Sequence, residues 1–156
     1  MKKLILILLT TASFAQTQIN VIVDPYATYK DGFINIGAEI ETISKSLYIK
    51  AGATAFTALE PLYLDFYGGI GYTKQVGKFD KLRLFTGAKA GVIYRETAPS
   101  LYPIVGGEIG LSQQITERLI IGCKMSHDYR GDTEFWGEHL KIRWISSGFV
   151  FVSFRL

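Results

Sequence analysis

The residues best suited to bond-breaking chemistry in this 156-residue chain are its two histidines, His127 and His139. His127 follows Ser126, and a serine oxygen becomes a nucleophile when an imidazole within hydrogen-bond reach takes its proton. The surrounding pattern is that of a β-strand, in which successive side chains point to opposite faces. Ser126 and His127 therefore cannot pair, and an enzyme would need another hydroxyl on the face of His127. We expect no catalytic residue and no enzymatic activity.

Composition limits the remaining chemistry. Cys123 is the only cysteine, so it cannot form a disulfide within the chain or belong to a cysteine metal framework. The glycine-rich run at residues 68–71 lies inside a strand pattern with no helix after it, which excludes a phosphate-binding loop. The net charge of +3 is spread along the chain and does not indicate nucleic-acid binding. We expect neither a cofactor nor a metal.

The amino-terminal residues form a targeting signal. Lys2 and Lys3 are basic, residues 4–9 are uninterrupted aliphatic, and small residues stand at Ser13 and Ala15. The apolar run is much shorter than the roughly 20 residues of a membrane-spanning helix, so a cleaved signal peptide is the better interpretation. The sequence thus predicts a signal peptide over residues 1–15 and one domain over residues 16–156.

Apolar and polar residues alternate through almost the whole mature chain, which indicates strands with two different faces. Residues 33–43 are the clearest example, with Ile34, Ile36, Ala38 and Ile40 on one face. Eight such runs are separated mostly by short turn segments, and short connections imply antiparallel neighbours. One link, residues 130–146, is long. We expect an all-β fold, an eight-stranded antiparallel up-and-down β-barrel that spans a membrane.

Glycines and charges show which face is the inside. Nine of the sixteen glycines lie on the polar face, and the lumen of an eight-stranded barrel is only just wide enough for its side chains. A lumen packed with charge must also balance its signs, because an unpaired buried charge costs several kcal/mol. The polar face carries four acids and four bases at mid-strand. This predicted lumen charge network is Glu39, Glu41, Asp65, Glu108, Lys50, Arg83, Lys89 and Lys124.

The apolar face suits hydrocarbon, with aromatic residues near the strand ends where membrane interfaces would lie. The predicted interfacial aromatics are Tyr29, Tyr72, Tyr94 and Phe154. Two alternatives remain open. A soluble periplasmic calycin-like barrel would reverse inside and outside, and a narrow pore or a lipid- or small-ligand-binding barrel would leave the lumen unfilled.

Over essentially all of the mature chain, this pattern resembles the small outer-membrane β-barrel families of the OmpA transmembrane domain and OmpX type. The segment 149–156, FVFVSFRL, resembles the terminal strand that barrel-assembly machinery recognises, although it ends in Leu156 instead of Phe. The signal that ends Phe14-Ala15-Gln16 resembles those of Bacteroidota. The resemblance implies a monomeric protein of the Gram-negative cell outer membrane, in contact with membrane lipid and lipopolysaccharide and inserted by the barrel-assembly machinery.

The segment 126–130, SHDYR, loosely resembles the His-x-Ser-Asn motif of lipid A deacylases. Tyr129 stands at the serine position and Arg130 at the asparagine position. The nucleophile of that family is therefore missing, and a lipid A deacylase-like enzyme is a lesser alternative.

The long link is the predicted outer loop and carries the interaction candidates. Arg130-Gly131-Asp132 is the tripeptide that integrin-binding proteins display, although Gly-Asp is also ordinary turn chemistry. The predicted loop residues that contact partners are Arg130, Asp132, Trp136, Glu138 and His139. We expect a structural or interaction role through the outer loops.

Overall fold

A computed structural model describes residues 16–26, 35–56, 62–76, 81–97, 101–133 and 143–156. The predicted signal peptide lies outside these residues. The eight strands are β1 (Gln16–Val23), β2 (Asn35–Ser44), β3 (Leu47–Phe56), β4 (Tyr63–Gln75), β5 (Leu82–Arg95), β6 (Leu101–Gln114), β7 (Leu119–Arg130) and β8 (Trp144–Arg155). Among the described residues, no helix is both long enough and apolar enough to cross a membrane.

Each strand pairs antiparallel with its neighbour in the sequence, and β1 also pairs with β8, which closes the sheet into a barrel. The predicted eight-stranded antiparallel barrel is confirmed. Closure removes the two open sheet edges, although among the described residues β1 pairs with β8 only over residues 150–155. The long link from β7 ends at Trp144, where β8 begins and pairs with Tyr129.

The connections differ in length between the two ends of the barrel. We call one end the turn end, because it carries the two-residue Lys45–Ser46 turn and the connections 76–81 and 115–118. The other is the loop end, with connections 24–34, 57–62, 96–100 and 131–143. Lys45 has a φ of 56°, in the left-handed region where side chains other than glycine are strained. The tight turn imposes this conformation, since Ser44 pairs directly with Leu47.

The polar face lies inside the barrel, as the glycine and charge pattern predicts. Glu39 is 4% exposed and Lys124 is 5% exposed, whereas Ile36 and Leu84 on the opposite face are each 45% exposed. The alternative of a calycin-like barrel with an apolar interior is therefore wrong.

Two apolar clusters lie inside the lumen, in contact with its charged groups. The cluster nearer the turn end, which we call the apolar layer, contains Ile22, Ile43, Tyr48, Phe85 and Phe151. The second cluster, nearer the loop end, contains Tyr63, Ile93 and Ile104, with Phe56 and Tyr102 against it. The lumen is thus filled by apolar and charged side chains packed together.

Candidate functional site: the charged interior

The centre of the lumen holds two carboxylates and two ammonium groups in a closed arrangement, which we call the central tetrad. Its members are Glu39, Lys50, Glu108 and Lys124, from β2, β3, β6 and β7. Lys50 Nζ lies 2.9 Å from Glu39 Oε1 and also contacts Glu108. Lys124 Nζ contacts Glu39 and lies 3.8 Å from Glu108 Oε2. Each charge therefore has two partners of opposite sign.

Neutral donors complete the coordination of both carboxylates. Tyr48 donates to Glu108 Oε1 at 2.7 Å, and Tyr67 donates to Glu39 Oε1 at 2.8 Å. Asn20 Nδ2 donates to Glu39 Oε2 at 3.3 Å. A buried ion pair offsets its desolvation only when its remaining lone pairs are also satisfied. The central tetrad meets that condition.

Glycines on the inward face give these long side chains their room. A Cβ built on Gly71 would lie 2.5 Å from the Tyr48 ring, and one built on Gly87 would collide with the Tyr48 hydroxyl. The ring of Tyr48 can therefore cross the lumen only because neighbouring strands lack side chains at these two positions. Glycines at these inward positions therefore leave the space through which Tyr48 reaches Glu108.

A second charged cluster closes the lumen toward the loop end. Arg130 binds Asp65 through two hydrogen bonds, of 2.6 and 2.7 Å, in the bidentate geometry of the strongest charge-assisted pairs. Its guanidinium also donates to the Tyr63 hydroxyl at 2.8 Å, and Tyr63 in turn donates to Asp132. Arg95 NH1 lies 3.7 Å from Asp132 Oδ2. We call these five residues the loop-end cluster.

The prediction that Arg130 and Asp132 are exposed residues of the outer loop is wrong. They are 4% and 0% exposed and belong to the loop-end cluster. The physical reason is the period of the strand. Arg130 has the same parity on β7 as Lys124, so its side chain points inward, and its charge must then be neutralised by Asp65. The tripeptide 130–132 cannot be offered to an integrin in this conformation.

The other predicted lumen charges pair above and below the central tetrad. Lys89 Nζ lies 2.8 Å from Asp128 Oδ2, on the loop-end side. Arg83 NH2 lies 3.2 Å from Glu41 Oε1, toward the turn end. All eight members of the predicted network lie inside the barrel. Strand parity also places Asp128 inside, and it acts as the counterion of Lys89 although it was not included in the predicted network.

The outward face of the described strands carries almost no charge. By alternation, Lys74 near the end of β4 is the one charged residue on an outward strand position in the described part of the chain. Outward aromatic residues stand near the strand ends. Tyr72 and Phe154 are exposed near the turn end, and Tyr94 is half-buried near the loop end. The predicted interfacial residue Tyr29 lies outside the described residues.

His127 faces outward and Ser126 faces inward, as strand parity requires. The structure nevertheless brings a serine to His127 from the next strand. Ser146 on β8 is paired with His127, and its Oγ lies 2.9 Å from His127 Nδ1. The imidazole also stacks on Trp144, with ring centroids 5.2 Å apart. Sequence reasoning missed this pair because it depends on the register between β7 and β8, which no local pattern encodes.

The candidates Trp136, Glu138 and His139 lie outside the described residues. Within the described ranges, no group of three or more His, Cys, Asp or Glu side chains is arranged to hold a metal ion.

No protein-family model matches the sequence, and no curated protein matches it either. Two solved structures are similar in fold. A de novo designed transmembrane β-barrel superposes with a TM-score of 0.56 at 12% identity, covering 90% of this chain and 95% of that chain. Neisserial surface protein A superposes with a TM-score of 0.53 at 12% identity, covering 91% of this chain and 96% of that chain. This chain therefore shares the fold of eight-stranded transmembrane barrels.

Proposed function

We propose that the protein is an integral barrel of the bacterial outer membrane. It is exported by the signal peptide at residues 1–15 and acts without catalysis, through a structural or interaction role at its loop end. One observation carries this proposal: the charges lie inside and the apolar side chains lie outside. Ile109, for instance, is 63% exposed at the middle of β6. Exposure of such an apolar surface to water is unfavourable in free energy, whereas its contact with membrane hydrocarbon is favourable.

The proposed class is that of the OmpA transmembrane domain and OmpX, with an origin in Bacteroidota suggested by the signal sequence. The partners proposed are membrane lipid, lipopolysaccharide and, during insertion, the barrel-assembly machinery, with the barrel itself a monomer. The central tetrad and the apolar layer disfavour the narrow pore, because each fills the lumen across its width. A ligand inside the middle of the barrel is disfavoured for the same reason.

A charge placed on the outward face tests the proposal. Ile109→Lys is expected to lower the free energy of unfolding in phospholipid vesicles by about 2–4 kcal/mol, because it puts an ammonium at mid-membrane depth. Leu101→Lys, at the loop end of the same strand, is the control and is expected to cost about 0–1 kcal/mol. Urea titration gives the free energies, and the mobility difference between unheated and boiled samples gives the folded fraction. Equal, small effects of both lysines would contradict a membrane location.

A second candidate function, hydrolysis of lipid esters, is favoured by the contact between Ser146 and His127. Both side chains face outward, where a membrane lipid would lie. Against it, Nε2 of His127 has no hydrogen-bond partner among the described residues, and a catalytic base normally needs a third group to orient it. The stacked Trp144 fixes the plane of the His127 ring, but its indole nitrogen cannot accept a hydrogen bond from Nε2.

A fluorophosphonate probe separates the two candidates. We expect no labelling of the folded protein, because nothing in the described structure stabilises an ionised Ser146. The opposite result would be labelling that is lost in Ser146→Ala and in His127→Gln but kept in the control Ser147→Ala. That result would establish the hydrolase and reject the non-catalytic role.

A further inference from the structure

The turn end of the barrel contains an open cavity of about 260 Å³ with a strongly basic lining. Among the described residues that line it, five are cations and none is an acid. The cations come from several strands and connections and are Lys45, Lys74, Lys81, Arg83 and Arg155. We call this cavity the basic vestibule. Charges of one sign around a concave, low-dielectric wall focus the field and concentrate ions of the opposite sign.

Apolar residues form part of the lining of the basic vestibule. Ile43 and Ile120 line its inner part, and Ile43 belongs to the apolar layer. Arg83 stands on the ring of Phe85 in that layer, with the guanidinium carbon 5.8 Å from the ring centroid. An ion that enters from the turn end therefore meets apolar and aromatic side chains beside the ion pair of Arg83 and Glu41.

The two arginines of the basic vestibule differ in how fully they are partnered. Arg83 pairs with Glu41 and donates through Nε to Ser112 at 3.2 Å. Arg155 donates from NH2 to Gln114 at 3.3 Å, but its buried Nε has no hydrogen-bond partner in the described part of the chain. A buried donor without an acceptor costs about 1–3 kcal/mol. Because this nitrogen is not reachable from the open cavity, an anion in the basic vestibule would interact with the positive charge of Arg155 and not with this donor.

We propose that the basic vestibule binds a small, multiply charged phosphoryl anion, of about the size of pyrophosphate. Guanidinium groups bind phosphate oxygens in charge-assisted hydrogen bonds, and the three lysines of the lining add further positive charge. The volume is below the roughly 300–1,000 Å³ of a pocket for a drug-sized ligand. The anion is a free solute and not a lipid headgroup, because the cavity opens along the barrel axis while bilayer lipid contacts the outer wall. This inference is independent of the role proposed for the loop end.

Calorimetric titration of inorganic pyrophosphate into the protein, in zwitterionic detergent at 0.15 M salt, tests the proposal. We expect saturable binding that weakens about threefold in Lys81→Gln and about tenfold in the double variant Lys45→Gln/Lys81→Gln. Both lysines are exposed, so the barrel is expected to remain folded, and the mobility difference on heating verifies this in the same samples. That control also separates failure of this proposal from failure of the barrel assignment.

The matched control is Arg118→Gln, which removes one positive charge at the same end but outside the cavity lining. At this salt concentration, charge interactions are screened over about 8 Å. The affinity of Arg118→Gln for pyrophosphate should therefore stay within twofold of that of the original protein. Absence of saturable binding, or equal weakening by Arg118→Gln and Lys81→Gln, would overturn the proposal. A second arm uses vesicles of phosphatidylglycerol or phosphatidylcholine. In the contrary result, the protein binds phosphatidylglycerol vesicles in preference to phosphatidylcholine, through Lys81, and fails to bind pyrophosphate. That result would overturn the proposal of a free solute and assign the cavity to a lipid headgroup.

Discussion

Replacing Glu39 with alanine is expected to lower the free energy of unfolding by about 3–5 kcal/mol, the cost of breaking a buried ion pair from one side. Glu39 is the carboxylate shared by Lys50 and Lys124, and it also accepts hydrogen bonds from Tyr67 and Asn20. Its removal leaves two buried ammonium groups with Glu108 as the remaining acid of the central tetrad. Urea titration in vesicles measures the loss.

Two further variants separate the charge imbalance from lost packing. Glu117→Ala removes an exposed carboxylate from the connection 115–118 and is expected to change stability by less than about 0.5 kcal/mol. Glu39→Gln keeps the size of the side chain but not its charge, and adding Lys124→Met then balances Lys50 against Glu108. The double variant should be more stable than Glu39→Gln alone, since coupled sites in one network are not additive. If Lys124→Met lowers stability further, the central tetrad is not held together by charge balance.

Replacing Gly87 with valine is expected to cost about 1–3 kcal/mol through overpacking of the lumen. A Cβ at this position would collide with the Tyr48 hydroxyl and lie 2.7 Å from the carbonyl oxygen of Ile70. The hydroxyl cannot retreat without losing its 2.7 Å hydrogen bond to Glu108. The predicted loss therefore combines steric strain with a weakened central tetrad.

The matched control is Gly148→Val, on the outward face of β8. A Cβ there would meet nothing within 4 Å, and a β-branched residue suits a strand, so stability should be unchanged or slightly higher. The cost of Gly87→Val should also be smaller in a Tyr48→Ala background. Equal losses at Gly87 and Gly148 would show that valine acts on the backbone and not on the lumen.

The effects expected at Glu39 and Gly87 both arise in the lumen. Charged and apolar side chains fill the middle of the lumen, whereas the anion site that we propose lies at the turn end. The loop end is different, because Asp132 and Arg130 fold into the barrel there. Interactions proposed for that end would then involve the other residues of its connections.

Local pattern alone determined much of this protein. Alternation along each strand placed Glu39, Lys89 and Lys124 on one face and Ile36 and Leu84 on the other, and inward glycines identified the lumen. The same parity already pointed Arg130 inward. Assigning that residue to a loop was an error in applying the pattern, not a limit of the pattern.

The partners of these residues were decided by the tertiary structure. Lys124 meets Glu39 across 85 residues of sequence, Tyr63 meets Asp132 across 69, and His127 meets Ser146 only through the register of β7 and β8. Alternation is a local property with a period of two, so it tells which face a side chain occupies. The stagger of the eight strands around the closed barrel determines which side chains share a height in the lumen. That stagger is set by closure of the whole sheet, and therefore only the folded barrel could pair the charges.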